Sequence, residues 1–162
     1  MNELPLGMVR DPKNPALVSK LRQLDEYDAT AIRDIAKSRE GWSDENARKA
    51  ELGAKRFLGL RYLDPDYQHA PYPEADAFWH HMVLNTPWYR EFCEAIFGTF
   101  LDHVPTPDPD PALMERSHGL YQHWYGDDRK SATETSVHRC SACKVLGLPS
   151  ELRPAEEAMF PD

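Results

Sequence analysis

Thirteen of the 14 prolines fall into four clusters, at 5–15, 65–73, 105–111 and 149–161, and they decide where helices can run. A proline inside a helix removes a backbone donor and clashes with the preceding turn, so each cluster ends one element and opens the next. Between the clusters apolar residues recur every three to four positions, and no stretch alternates as a strand would. The spacing predicts helices over about 28–38, 44–63, 74–84, 86–104 and 111–125. Ser43 caps the second of these, with Asp44 and Glu45 at the positive end of its dipole. Thr86-Pro87 and Asp110-Pro111 each combine a capping side chain with the residue best tolerated at the first helical position. The expected fold is therefore all-α. It is a single compact domain of about five helices over 25–126, with an N-terminal arm at 1–24 and an irregular C-terminal tail at 127–162. Phe57, Phe78, Trp79, Trp88, Phe92, Phe97, Phe100 and Trp124 are the expected core.

Charge and sequence pattern exclude several classes of partner. With 19 Lys and Arg against 27 Asp and Glu, the net charge of −8 repels a nucleic-acid backbone and an anionic membrane surface. The longest apolar run, around Ala95 to Leu101, falls far short of the ~20 residues that a spanning helix needs. The first residues show no basic segment followed by an apolar one, so the expected location is cytoplasmic. Three cysteines, an odd count, then point to free thiols, a metal site or a redox pair rather than a disulfide framework.

The candidate chemistry centres on histidine. Asp76 and His80 are four residues apart on one predicted helix, which stacks a carboxylate and an imidazole on the same face. Such a pair either orients a ligating histidine or binds an ion directly. His80 and His81 point about 100° apart and cannot both grip one ion. If the third and fourth helices fold back as a hairpin, His80 faces Phe92 and Cys93. His103 then lies about 15 Å further on at 1.5 Å per residue. That geometry gives two clusters, His80 with Cys93, and His103 with Asp102 and His69. Cys140 and Cys143 form a Cys-x-x-Cys unit, with His138 just before it, that can chelate Zn²⁺ or cycle through a disulfide. His118 and His123, five apart, face different directions and are read as packing or surface residues. The chain contains no Gly-x-Ser-x-Gly elbow, phosphate-binding glycine loop, His-Glu-x-x-His or EF-hand loop.

The run Gly41-Trp42-Ser43, Lys55 to Leu60, Asp76 to Thr86, Tyr89, Cys93, Phe97-Gly98 and Phe100 to Pro105 resembles the bacterial single-domain members of the glycine-rich domain-containing protein-like family. The likeness covers about residues 25–126. That family's pattern has histidine where this chain has Met82, aspartate where it has Asn85, and histidine where it has Asp102. His80, His103 and Cys93 keep the pattern. The resemblance implies no reaction.

The functional expectation is a metal-binding helical protein, extending to a small metalloenzyme that oxidises or hydrolyses a small molecule in a biosynthetic pathway. Its candidate ligands are His80, His103, Asp76, Asp102 and Cys93, with Cys140 and Cys143 as a second set. Mixed imidazole, carboxylate and thiol donors suit Zn, Fe or Cu. Two alternatives stand beside it: a non-catalytic protein-interaction module with packed histidines, and a structural zinc site at the cysteine pair.

Overall fold

The computed structural model describes residues 3–105, 111–127, 140–142 and 150–155. Among them are six α-helices: α1 (Pro15–Glu26), α2 (Thr30–Glu40), α3 (Asp44–Leu63), α4 (Pro73–Leu84), α5 (Thr86–Phe97) and α6 (Pro111–Tyr125). Two three-residue strands, β1 (His103–Pro105) and β2 (Cys140–Ala142), pair antiparallel with His103 opposite Ala142. The fold is mostly helical, as expected, but with six helices rather than about five. No helix among the described residues is long and apolar enough to cross a membrane.

The additional helix is α1, inside the stretch expected to be an arm. Its start signal is Asn14-Pro15: the Asn14 side chain accepts from the Leu17 amide, and Pro15 occupies the first turn. Leu17, Leu21 and Leu24 point inward and are fully buried, as is Leu6 from the short turn of 3₁₀ helix at Pro5–Gly7. Residues assigned to the arm thus belong to the core.

α3 is the central element and packs against α1, α2, α4 and α6. Its inward stripe of Ala47, Ala50, Ala54, Phe57, Leu58 and Arg61 is buried. Lys55 and Arg56, charged residues on the other face of the helix, are covered by the N-terminal segment. Lys55 donates to the carbonyls of Asp25 and Tyr27, and Arg56 donates to that of Leu6. Gly59 marks how closely the neighbours approach, because a Cβ there would sit 2.8 Å from the Tyr125 hydroxyl and 3.1 Å from Leu6.

α5 ends earlier than the apolar stripe suggests. Gly98 adopts φ +70°, and its amide bonds back to Glu94, a left-handed helix stop that glycine takes without strain. The chain turns away there, so Phe100, expected in the core, is 47% exposed while Leu101 is buried.

The C-terminal segment returns to α1. The Asn14 amide donates to the carbonyls of Glu151 (2.6 Å) and Arg153 (2.7 Å), the Ala155 amide bonds the Pro12 carbonyl, and Arg153 pairs with Asp66. Asn14 therefore has two separable duties. Asn14→Asp keeps the cap but turns an oxygen toward two carbonyls, so it is expected to deprotect the Ala155 amide in hydrogen exchange while α1 stays folded. Asn14→Ala is expected to lose the cap as well, costing about 1 kcal/mol of global stability. Equal protection of Ala155 in Asn14→Asp and the parent would show that the clasp does not hold the segment.

Candidate metal centre

α4 begins at Pro73 and carries Glu74 and Asp76 in its first turn, where acids meet the positive end of the dipole. One turn later the His80 ring lies over Asp76, with its Nδ1 2.8 Å from the Asp76 carbonyl oxygen and 3.5 Å from Oδ2. A carbonyl oxygen only accepts, so Nδ1 donates and this tautomer carries its lone pair on Nε2. Metal-binding histidines are commonly oriented by such a bond.

The third member comes from β1. The His103 ring lies 4.5 Å from His80, edge to face, and 4.6 Å from the Trp79 indole. One donor atom each from Asp76, His80 and His103 lies within 4.8 Å of the other two. Donors around one tetrahedral ion stand about 3.4 Å apart at Zn–N distances near 2.0–2.1 Å, within reach by small side-chain rotations. Asp76 Oδ1 and His103 Nε2 are both buried, and neither has a hydrogen-bond partner among the described residues. The His80 side chain is 40% exposed, which leaves one side of the group open to solvent.

Burial sets the electrostatics of the group. It raises the Asp76 carboxyl above the usual carboxylate range, with His80 opposing. It lowers His103 below the usual imidazole value, and a charge on His80 acts the same way. His103 is thus held toward the neutral form, which is the form that ligates a metal.

Trp79 backs the His103 imidazole, and Tyr89 holds Trp79. The Trp79 indole N–H donates to the Tyr89 hydroxyl (3.2 Å), which donates to the Leu101 carbonyl (2.7 Å). Cys93, buried one turn beyond Tyr89, has its thiol raised by burial and stands apart from the three-donor group. Asp102 is exposed and is also outside the group.

The expected pairing of His80 with Cys93, and of His103 with Asp102 and His69, is therefore replaced by Asp76, His80 and His103. The reason is the stop at Gly98, which turns the chain back across α4 instead of carrying His103 onward along α5. His69 lies elsewhere, fully buried, with its Nε2 2.7 Å from Asp64 Oδ2. Arg116 clamps the same carboxylate through Nε (3.1 Å) and a terminal nitrogen (2.9 Å). His81 faces Glu40 on α2 at 2.9 Å, and His118 faces the Tyr72 hydroxyl at 2.8 Å. The Cys140 backbone lies in β2; its side chain and Cys143 fall outside the described residues. The sequence reading missed Trp79 and Tyr89 as parts of the site. The signal for the turn that joins them to His103 was Gly98 directly after Phe97, a glycine at a helix end.

A family model described as UCP032817-like matches residues 18–141. No curated protein matches the chain. No solved structure matches it either. The family match corrects the resemblance to the glycine-rich domain-containing protein-like family, for which it gives no support. Much of the run behind that resemblance is packing and capping. Phe57, Phe78, Trp79, Tyr89 and Cys93 fill the core, and Asn85 ends α4.

Proposed function

The chain belongs to the UCP032817-like family, an uncharacterised family, and on that premise we propose that it is a metal-binding helical protein whose ligands are Asp76, His80 and His103. The observation that carries this reading is that Asp76, His80 and His103 each bring a donor atom within 4.8 Å of the other two, while Asp76 Oδ1 and His103 Nε2 are buried with no hydrogen-bond partner among the described residues. Two imidazoles and one carboxylate suit Zn²⁺ or Fe²⁺. Three protein donors leave coordination positions for water or a small molecule, so a loaded site has the elements of hydrolytic or oxidative chemistry. The net charge of −8 draws cations toward the surface.

The packed-histidine reading draws on the edge-to-face contact of His80 with His103 and on the tilted ring contact of Trp79 with His103. It leaves two buried polar atoms unsatisfied at about 1–3 kcal/mol each, a cost that a bound cation removes.

Elemental analysis of tag-free protein, beside His80→Ala, tests the proposal. Near-stoichiometric zinc or iron in the parent, lost from the variant, is the expected result. Absence of metal from the parent after reconstitution with Zn²⁺, Fe²⁺ and Cu²⁺ in turn would overturn it.

A further inference from the structure

We propose that Tyr89 is the positioning residue of the metal centre, a role that rests on the metal-binding reading above. Asp76 and His80 share one helix, so their relation is fixed by the α4 backbone. Among the described residues His103 is the only donor brought in from another element, and the centre is as well defined as the seat of that one ring.

Besides the pairing of His103 opposite Ala142 and its contact with the His80 ring, two contacts hold the seat, and both end on the Tyr89 hydroxyl. The Trp79 and His103 ring centroids lie 4.6 Å apart with the planes tilted by 52°, and the indole orientation is held by its N–H on Tyr89 Oη. The backbone leading into β1 is held by the Leu101 carbonyl, two residues before His103, which accepts from the same hydroxyl. Tyr89, Trp79 and Leu101 are all at most 1% exposed, so water does not substitute readily for a lost partner. One oxygen therefore ties Trp79 on α4 to the segment that delivers the ligand. Its removal leaves an indole N–H and a carbonyl unpaired inside the core. The relief available is rotation of Trp79 or a shift of residues 98–103, and either moves His103 relative to Asp76 and His80. Groups that orient ligands in this way typically change metal affinity by 10–100-fold when removed.

Tyr89→Phe removes the oxygen and keeps the ring. Tyr125→Phe is the matched control, because Tyr125 is also buried and its hydroxyl also donates to a carbonyl, that of Arg56, away from the three donors. Co²⁺ serves as the probe, with affinity and visible absorption read on the full chain after chelator treatment. NMR of the metal-free protein reads the ring-current shift that Trp79 imposes on the His103 imidazole protons. Tyr89→Phe is expected to weaken Co²⁺ binding about tenfold or more, alter the cobalt spectrum and reduce the ring-current shift, while Tyr125→Phe changes none of these. Parent-like affinity, spectrum and ring-current shift in Tyr89→Phe would overturn the role of Tyr89 and leave the metal-binding reading standing. A parent that binds no Co²⁺, Zn²⁺ or Fe²⁺ would overturn the metal-binding reading and this role with it. If Tyr89→Phe does not fold, Trp79→Phe, which removes the indole N–H that the hydroxyl accepts, is read by Co²⁺ affinity and visible absorption alone, against the same two outcomes.

Discussion

Lys55→Met is expected to destabilise the fold by about 3 kcal/mol, read as a lower urea midpoint and a fall in Tm of about 6–12 °C. Lys55 lies in the middle of α3 and is only 4% exposed. Its ammonium donates to the carbonyls of Asp25 (2.9 Å) and Tyr27 (2.8 Å) and pairs with Glu51 at 3.2 Å. Asp25 lies in the last turn of α1 and Tyr27 is its C-cap, so the ammonium satisfies carbonyls that the helix cannot, at the negative end of its dipole. Methionine reproduces the stem and removes every one of these bonds. Glu51 keeps Arg33 at 2.6 Å, so the loss falls mainly on the end of α1. A change below about 0.5 kcal/mol would place Lys55 among ordinary surface lysines and would contradict its role as the tie between α1 and α3.

Asp76→Asn is expected to separate stability from metal binding. In the metal-free chain burial holds the Asp76 carboxyl above its ordinary value, so the folded state takes up a proton more readily than the unfolded one. The contribution of this group is fully present below the unfolded value near 3.8 and is lost as pH rises through the folded value. Asparagine carries no charge and undergoes no such loss. In the presence of chelator, the variant should match or exceed the parent by about 1 kcal/mol at neutral pH, and the gap should close as pH falls through the folded Asp76 value. Zn²⁺ affinity should meanwhile fall at least about 100-fold, because a charged donor becomes a weak neutral one. Urea melts across pH with chelator, together with a zinc titration, check both halves. A metal-free variant clearly less stable than its parent at neutral pH would mean that the carboxylate holds native structure rather than awaiting a cation.

The parts of this fold that were legible in the sequence are those fixed by local rules. Ser43 before Asp44 and Glu45, Pro87 after Thr86, and Pro111 after Asp110 place helix starts within a residue or so of where they fall. The pairing of Asp76 with His80 follows from a four-residue spacing on one helix. The misses depend on tertiary contact or on small signals. Asn14-Pro15 is as good a start as Thr86-Pro87, but it lies in a proline-rich stretch whose few leucines gain meaning only against α3. Lys55 and Arg56 look exposed until that N-terminal layer covers them. His103 could not be assigned to His80, because its position depends on the direction the chain takes after Gly98, and no periodicity encodes that. The family resemblance failed for a related reason: a short order of aromatics and histidines describes how α4 packs more than which family it comes from.

The clasp at Asn14 has a consequence for the lifetime of the fold. Its two bonds join residues 137 and 139 positions apart, nearly the whole length of the chain. Contacts of that span incur the greatest loop-closure entropy and are expected to form after the intervening helices have condensed. Bonds absent from the folding transition state leave the folding rate almost untouched and act on the rate of opening. The clasp is accordingly a latch: it contributes little to how fast the helices assemble and a good deal to how long the segment at 150–155 stays against α1 once they have.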